Sequence, residues 1–468
     1  MLLRHQLLLG GLLLGNAVLF AGVDSVTRLV SAAVALLMVA DMRRLPRVPR
    51  AHVFAGAVLA GLVAVQLLPL PAALRSLVQP GFAEVMHSGW APLSLAPWAT
   101  LEAAAYAVVM VAVALTAARM ARTRSGMPTL LMILAGTGVL VALLGLIGEA
   151  GAPDKVLLVR DNTGRGGVYG PFVNSNHFAL AIELTVPAAL ILLAAASRHI
   201  RATGPERARG TVTILATGVA IAVAVGALLR SGSRGGATFL VLAGLATALW
   251  WRRRRRRAGG GVLPLLLVGV TILVVLLAWT RLPVLDEGMR DLVMVEGLEG
   301  QSRLDFWAGT VASFWRSPLV GSGLGSYPHV IGMDKPATGT LELRTAHNDW
   351  LEILATGGAA AAGALLLLLI GLAGPLDPGR TRRRRFEYRY ALAGAAFALV
   401  AAALHELVGS GLQTPLNGYL AASWLGIVWG IEERVGRRRE QHREARQPAE
   451  DSVGDLTQPE REDEANHG

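Results

Sequence analysis

The sequence predicts an all-α polytopic membrane protein with about twelve transmembrane helices and one long outer loop that contains short helices. Three observations predict this fold class: of the 468 residues 53% are hydrophobic and only 16% are charged, and the mean hydropathy is +0.49. Ordinary soluble domains carry about 25% charged residues. The composition therefore excludes an ordinary soluble domain and indicates repeated passage through a membrane.

About twelve apolar stretches are long enough to cross roughly 30 Å of hydrocarbon. They lie near residues 6–22, 26–41, 52–70, 98–118, 128–149, 174–196, 211–229, 236–251, 262–280, 350–373, 389–408 and 416–431. A second apolar run follows the first at once, with no convincing Ala-x-Ala cleavage site between them. We therefore expect a retained anchor rather than a cleaved signal peptide.

The loops between these stretches alternate between arginine-rich and arginine-poor, which predicts the orientation. The arginine-rich set and both termini are expected in the cytoplasm. The outer set comprises residues 71–97, 150–173, 230–235, 281–349 and 409–415. The expected organisation is an N-terminal part (1–90), a transmembrane core (91–435) that includes the loop 281–349, and a disordered cytoplasmic tail (436–468) without apolar periodicity.

Charge and cysteine content exclude several classes of function. The formal net charge is +11, but the basic residues form short clusters between apolar runs. We interpret them as orientation signals and expect no nucleic-acid partner. The chain has no cysteine, which excludes disulfides, a cysteine nucleophile and a zinc–thiolate site. The outer loops contain no Asp-x-Asp, His-Glu-x-x-His or P-loop motif, so we expect neither metal nor cofactor.

The most informative segment is His347-Asn348-Asp349-Trp350, where the long outer loop becomes a membrane helix. A histidine at this position has a near-neutral intrinsic pKa and a polar loop on one side, which suits general-base chemistry. Lone histidines are more often structural hydrogen-bonders. We predict a catalytic role for His347, with Asn348 and Asp349 as substrate-binding residues.

Arginines of the outer loops are not explained by orientation signals, and three of them are candidates for binding an anion. Arg303 begins a segment in which Leu304, Trp307, Val311 and Phe314 recur at helical spacing, which predicts a helix along the membrane face. A glycine-rich turn at 321–325 follows and can fold this helix back toward the membrane.

Arg230 and Arg234 flank a tight turn of glycine and serine before the eighth predicted span. Guanidinium groups beside a helix N-terminus are well suited to a diphosphate. An interfacial contact with lipid headgroups is the alternative for both. We predict a catalytic role for Arg234 and Arg303, and substrate binding for Arg230.

A further polar cluster enters the sixth predicted span. Asn174, Asn176 and His177 follow a Gly-Pro turn, and such groups are costly in hydrocarbon unless they are partnered. Either an asparagine caps the helix by satisfying free backbone N–H groups, or the same side chains bind substrate near the membrane surface. We retain all three as candidate substrate-binding residues.

Taken in order, these motifs resemble the O-antigen ligase and O-antigen polymerase-like family of bacterial membrane glycosyltransferases. The resemblance spans roughly residues 90–430. It rests on the strings Pro97-Trp98-Ala99-Thr100, Gly170-Pro171-Phe172, Asn176-His177, Ser233-Arg234-Gly235-Gly236, Arg303 with Trp307, Pro318-Leu319-Val320-Gly321-Ser322-Gly323 and His347-Asn348-Asp349.

The resemblance implies a GT-C-like inner-membrane enzyme of lipopolysaccharide or surface-polysaccharide biosynthesis. Such an enzyme moves a glycan from an undecaprenyl-diphosphate carrier to an acceptor sugar hydroxyl at the periplasmic face, in an inverting and metal-independent reaction. The implied partners are that donor, a glycan or lipid-linked acceptor, and membrane lipids. By analogy Arg234 and Arg303 bind the diphosphate and His347 activates or positions the acceptor.

One departure from the family pattern concerns a late acidic residue. It lies in the segment from His405 to Pro415. Family members often carry an aspartate after the histidine of this segment, where the chain has Gly409 and Ser410 instead. Glu406 is the candidate replacement.

The resemblance leaves two activities open. A ligase and a polymerase share the donor chemistry, and the sequence does not distinguish between these two activities. A lipid-linked glycan flippase is the alternative from another class of protein, because twelve spans are also a common transporter layout.

Overall fold

The computed structural model describes residues 2–82, 89–161, 167–201, 203–252, 303–334, 343–382 and 384–444. In these parts the chain is almost entirely helical. The helices are α1 (Leu2–Val18), α2 (Ser25–Ala40), α3 (Arg50–Leu67), α4 (Ala72–Val78), α5 (Pro97–Ala121), α6 (Gly126–Gly151), α7 (Ser175–Ala196), α8 (Gly204–Arg230), α9 (Arg234–Arg252), α10 (Arg303–Arg316), α11 (Tyr327–Asp334), α12 (Asp349–Ala373), α13 (Pro378–Arg382), α14 (Phe386–His405) and α15 (Pro415–Glu444).

The strands are two short antiparallel pairs between helices. β1 (Leu70–Pro71) pairs with β2 (Trp90–Ala91), and β3 (Lys155–Val156) pairs with β4 (Arg160–Asp161). The predicted fold class, an all-α polytopic membrane protein, is confirmed.

Within the described residues, seven helices are long and apolar enough to cross a membrane: α3, α5, α6, α7, α8, α12 and α14. Each corresponds to one predicted span. Four more predicted spans fall on α1, α2, α9 and α15, of which α1 and α2 are shorter apolar helices. The remaining predicted span, 262–280, lies outside the described residues, so the total of about twelve stays a prediction.

Close helix packing forms the centre of the bundle, and α7 is its most buried span. The most extensive helix pair is α5 with α15. At Gly426 and Gly430 a side chain would come within 2.2 and 2.3 Å of the carbonyl oxygens of Ala114 and Ala118. Two glycines four residues apart thus let the two backbones touch, which is the usual way for membrane helices to gain packing contacts.

The two ends of the bundle carry different chemistry. At one end, Arg122 pairs with Glu433 at 2.9 Å and Arg47 pairs with Glu440 at 2.8 Å. These ion pairs, together with further charges of α15, stabilise that helix as far as Glu444. It therefore continues past residue 436, where the tail was predicted to begin, and residues 445–468 lie outside the described part of the chain.

The opposite end holds the predicted outer loops, and we call it the site end. The predicted helix is observed as α10, which buries Phe306 and Thr310 against the protein. Its position along the membrane face stays a prediction. Leu304 and Val311, two of the residues that predicted the helix, are exposed at the surface. Apart from Asp305, the exposed residues of this helix are apolar, which is the expected arrangement for a helix that contacts lipid.

The glycine-rich segment after α10 packs against the membrane helices α3 and α12. The buried side chain of Gln66 on α3 donates to the carbonyls of Val320 and Thr356, at 2.6 and 2.9 Å, and accepts from the N–H of Leu324 at 3.0 Å. A single buried amide therefore ties the outer segment to both α3 and α12. Because all its partners are backbone groups, it satisfies polar atoms that would otherwise be unpaired in an apolar setting.

A kink in α12 completes this junction. Gly358 has φ +62° and ψ −162°, and a side chain there would lie 2.5 Å from the backbone of Leu319. Only glycine adopts this region of φ and ψ without strain. The kink frees the N–H of Ala359, which donates to the carbonyl of Pro318 at 2.8 Å.

We expect Gly358→Ala to destabilise the fold strongly, because the new methyl group meets backbone atoms and the backbone must hold a strained conformation. Strain of this kind alone costs about 1–3 kcal/mol. Gly363→Ala on the same helix is the matched control, since a side chain there has nothing within 4 Å. Thermal unfolding of the purified variants should show a lower midpoint for Gly358→Ala only, and equal midpoints would contradict the assignment.

Candidate active site

The polar groups of the site end gather around the segment 406–414, which we call the 406–414 loop. His177, in the first turn of α7, has its Nδ1 atom 3.1 Å from the hydroxyl of Thr414, directly before α15. On the other side, the hydroxyl of Ser233, directly before α9, donates to the side-chain oxygen of Asn176 at 2.6 Å. The N-termini of α7, α9 and α15 therefore meet at this place.

The N-terminus of α12 meets the same loop. The backbone N–H of Asp349 contacts the carbonyls of Glu406 and Gly409 at 3.1 and 3.2 Å, and its carboxylate accepts from the amide of Gln413 at 2.7 Å. Helix N-termini carry partial positive charge and free N–H groups, which favour an anion. Four of them at one place make the site end suitable for a negatively charged group.

Arg303 is the first residue of α10, and its side chain is only 8% exposed. Its Nη1 atom donates to the carbonyl of Val408 in the 406–414 loop at 3.0 Å. One turn further along α10, the indole N–H of Trp307 donates to the carbonyl of Ala346 at 3.2 Å. The helix thus places a guanidinium group on the loop and at the same time fixes the residue that precedes His347.

His347 is half-buried, and its backbone has φ +49°, a left-handed conformation that is uncommon outside glycine. Burial, followed by the positive charge of Arg303, lowers the pKa of the imidazole to about 4. The ring is therefore neutral at pH 7 and can accept a proton. No other described residue forms a hydrogen bond to the ring, so its nitrogens are available to a bound hydroxyl.

An acidic residue lies at the centre of the 406–414 loop. Glu406 is fully buried and accepts from the N–H groups of Gly411 and Leu412 at 2.9 and 3.1 Å. Its carboxyl group also forms a hydrogen bond with that of Asp349. Burial, and next the charge of Asp349, raises the pKa of Glu406 well above its ordinary value. A protonated Glu406 can donate this hydrogen bond to Asp349.

Sequence reasoning missed a second buried pair. The carboxylate of Glu183 on α7 lies 2.8 Å from the Nδ1 atom of His405 at the end of α14, and both side chains are almost fully buried. The ring of His405 packs against Phe239 on α9. The available signal was a single acidic residue within an otherwise apolar span, which is rare and usually functional. The pair joins three helices directly beneath the 406–414 loop.

The two arginines of the α8–α9 turn occupy different surroundings. Arg234 is the first residue of α9 and is half-buried next to Ser233, so it lies beside the site. Arg230, at the end of α8, pairs with Glu149 of α6, whose carboxylate also accepts from the hydroxyl of Tyr169 at 3.1 Å. Its guanidinium group therefore already has an anionic partner.

The remaining candidates divide between capping and contact with the loop. Asn174 is the N-cap of α7 and accepts from the N–H of Asn176 at 2.8 Å. Asn348 caps α12 in the same way by accepting from the N–H of Leu351 at 3.0 Å. Arg303, His347, Asn348, Asp349 and His177 thus come together around one loop, and Asn176 connects that loop to the turn that carries Arg234.

Residues 219–367 match the family described as O-antigen ligase. The resemblance to the O-antigen ligase family is confirmed. The matched region contains Arg234, Arg303 and His347, whereas the strings at 97–100 and 170–177 lie outside it. No curated protein matches the chain. The match supports a ligase- or polymerase-like function in polysaccharide biosynthesis.

The buried carboxyl pair leads to a prediction at Glu406. Glutamine there can donate its amide to Asp349 and still accept from the 406–414 loop, whereas alanine leaves buried N–H groups unpaired. Unpaired groups of this kind cost about 1–3 kcal/mol each. We therefore expect the melting temperature of Glu406→Gln to stay close to that of the wild type, and the melting temperature of Glu406→Ala to be clearly lower.

The pH dependence separates a proton-sharing pair from simple packing. Because folding raises the pKa of Glu406, its contribution to stability is complete below the ordinary glutamate pKa and is lost as pH rises through the folded value. Wild-type melting temperatures should fall along this limb, and the fall should be smaller in Glu406→Gln, in which the buried carboxyl groups of Asp349 and Glu352 remain. Identical pH profiles for wild type and Glu406→Gln would contradict the shared proton.

Proposed function

We propose that the protein transfers a glycan from an undecaprenyl-diphosphate carrier to an acceptor sugar hydroxyl at the periplasmic face of the bacterial inner membrane, as a metal-independent, inverting glycosyltransferase. The observation that carries the proposal is that Arg303 lies close enough to His347 for its charge to lower the pKa of the imidazole, at the place where four helix N-termini meet. A cationic group for a leaving diphosphate and a neutral base for a hydroxyl thus belong to one site.

The proposed step forms one bond and breaks another. The acceptor oxygen attacks the anomeric carbon of the donor glycan while the bond between that carbon and the diphosphate oxygen breaks. The proton of the hydroxyl passes to the imidazole of His347, and undecaprenyl diphosphate leaves with an additional negative charge. Arg303 and Arg234 stabilise that charge, since preorganised donors act most strongly where charge develops in the transition state.

The charge of Arg303 has an additional effect on the base. In the free protein it contributes to the low pKa of His347, which makes the imidazole a weak base. When an anionic diphosphate binds to Arg303, its negative charge offsets that of the guanidinium group and raises the pKa of His347. The base therefore becomes stronger once the donor is bound, which disfavours unproductive proton uptake by the free enzyme.

The acceptor decides between two forms of the activity. A ligase transfers a finished glycan to a new acceptor such as lipid A–core, whereas a polymerase extends the glycan on a second carrier molecule. Both use the donor chemistry described above. We propose the ligase, because the family that the chain matches is described as O-antigen ligase. The polymerase is the alternative within the family, since the residues at the site concern the donor and the base and do not select the acceptor.

The test is a reconstituted reaction with purified protein, undecaprenyl-diphosphate-linked glycan, EDTA, and either lipid A–core or a second portion of the donor as acceptor. Release of undecaprenyl diphosphate is expected, with a product whose new linkage has the opposite anomeric configuration by NMR. The size of the product distinguishes transfer to lipid A–core from polymerisation. Movement of intact donor across vesicles without any release would instead support a flippase.

Because the chain contains no cysteine, single introduced cysteines can test the proposed orientation. Val159→Cys places an exposed thiol at the site end, and Gln441→Cys places one at the far end of α15. A maleimide that cannot cross the inner membrane is expected to label Val159→Cys in cells with a permeabilised outer membrane, and to label Gln441→Cys only after lysis. The reverse pattern would place the site in the cytoplasm.

A further inference from the structure

The buried pair of Glu183 and His405 takes no part in the proposed chemistry, yet it lies between the elements that carry both arginines of the site. Oε1 of Glu183 is 2.8 Å from Nδ1 of His405, whereas Oε2 has no hydrogen-bond partner among the described residues. A buried carboxyl group with only one of its oxygens partnered lowers stability compared with an apolar side chain. Packing alone would therefore favour an apolar residue at this position, and the pair points to a role beyond packing.

His405 connects the pair to Arg303. It is the last residue of α14, and its carbonyl accepts from the N–H of Val408 at 3.1 Å. The carbonyl of Val408 in turn accepts from the guanidinium group of Arg303 at 3.0 Å. The imidazole also packs against this turn, because a side chain at Gly409 would come within 2.9 Å of the ring carbon Cδ2. A ring that Glu183 fixes therefore sets the position of the turn that binds Arg303.

The same pair supports the first turn of α9, which begins at Arg234. A side chain at Gly236 would come within 3.3 Å of Oε1 of Glu183, so the backbone of this turn lies close to the carboxyl group. In the next turn, the centre of the Phe239 ring lies 5.4 Å from that of His405. The two helices that begin with the arginines of the site are thus both connected to one buried hydrogen bond.

We propose that Glu183 and His405 are positioning residues, whose hydrogen bond holds Arg303 and Arg234 in the relative position that lets both contact one diphosphate. The inference rests on the proposed function and adds to it the residues that arrange its two cationic groups. Neither member of the pair touches substrate or exchanges a proton with it. A misplacement of about 1 Å at a reacting centre lowers the rate by about 10²-fold, so a shift of either arginine has a measurable effect.

Two variants separate positioning from packing. Glu183→Gln keeps the shape of the side chain and a hydrogen bond to His405, so it is expected to keep the wild-type kcat. The double variant Glu183→Met with His405→Phe replaces the pair by apolar side chains, a change that often leaves stability unaltered. Its melting temperature should stay close to that of the wild type. Its kcat for glycan transfer should fall by about 10²-fold, and its equilibrium binding of undecaprenyl diphosphate should weaken.

Thr185→Val is the matched control on the same buried helix. The hydroxyl of Thr185 donates only to carbonyls of its own helix, those of Ala181 and Ile182, at 2.8 and 3.2 Å. Its replacement removes a buried polar group without touching α9, α14 or the 406–414 loop. Both kcat and the binding of undecaprenyl diphosphate are expected to stay as in the wild type.

An NMR titration of His347 in the carrier-free protein gives a readout that needs no activity. The charge of Arg303 contributes to the low pKa of this imidazole, so a displaced guanidinium group should raise that pKa in the double variant. Glu183→Gln and Thr185→Val should titrate like the wild type.

Three results would overturn the positioning role. Wild-type kcat and His347 titration in the double variant would show that the pair does not act on the arginines. Loss of activity in Glu183→Gln would indicate that the charge or the proton of the carboxyl group is needed instead. A strongly lowered melting temperature of the double variant would show a role in packing. If the wild type releases no undecaprenyl diphosphate, the proposed function fails, and the titration of His347 still shows whether the pair positions Arg303.

Discussion

Replacing His347 by alanine is expected to lower kcat for glycan transfer by about 10²- to 10⁴-fold, the usual effect of removing a general base. The imidazole is neutral at physiological pH, and it lies within the electrostatic influence of Arg303, at which the leaving diphosphate binds in the proposed mechanism. Carrier binding should change little, because the ring acts on the acceptor hydroxyl and not on the diphosphate. Rates of undecaprenyl-diphosphate release and separate binding measurements check both expectations.

The control for this prediction is His329→Ala, since His329 is an exposed histidine of α11 on the same outer segment. It should keep wild-type kcat. The pH profile adds a second measurement: kcat/KM should fall as pH drops through about 4, the pKa of His347 in the free protein. The corresponding fall of kcat should occur at a higher pH than the fall of kcat/KM, because the bound diphosphate raises the pKa of His347. Equal loss of activity in both histidine variants would exclude His347 as the base.

Replacing Arg303 by alanine is expected to cost about 3 kcal/mol of transition-state stabilisation, or roughly 10²- to 10³-fold in kcat, together with weaker carrier binding. The guanidinium group is buried at the start of α10 and bound to the 406–414 loop through Val408. Its loss removes a donor for the diphosphate and an anchor of the loop.

Arg303→Lys separates these two roles. Lysine restores the charge but not the planar pair of donors, so it should recover part of the carrier binding and little of kcat. An NMR titration of His347 gives an independent readout, because removal of the positive charge in Arg303→Ala should raise the pKa of the imidazole. Exposed Arg344, three residues before His347, serves as the control for general loss of positive charge. Wild-type kinetics in Arg303→Ala would remove the residue from the proposed mechanism.

Local patterns were enough to predict the helices. Apolar length placed eleven of the predicted spans on observed helices, and helical spacing of apolar residues placed α10 correctly. These features depend on neighbouring residues, whose side chains share one face at a known period. The extent of α15 was underestimated, because the ion pairs of Glu433 and Glu440 that support its last turns involve Arg122 and Arg47, which lie in loops far away in the sequence.

The residues of the site could be predicted from the sequence, but the contacts between them could not. The sequence marked His347, Arg303 and Asp349 as polar groups at helix ends, and the structure places all three around the 406–414 loop. It did not indicate that the carboxyl groups of Asp349 and Glu406 form a hydrogen bond, or that Arg230 is paired with Glu149. Such pairs join residues far apart in the chain, and their contact follows from the arrangement of the helices rather than from any local spacing.

The junction between the outer segment and α12 has a consequence for which sequence changes the chain can accept there. Backbone hydrogen bonds join Pro318 and Leu319 to Ala359 and Ala360, and Ser322 and Gly323 to Ala355 and Thr356. A substitution at Leu319 or Val320 leaves these hydrogen bonds in place, whereas the deletion of one residue shifts the whole ladder out of register. This part of the sequence must therefore preserve its length and its glycines, since a side chain at Gly321 or Gly358 would lie within 2.5 Å of the backbone across the junction.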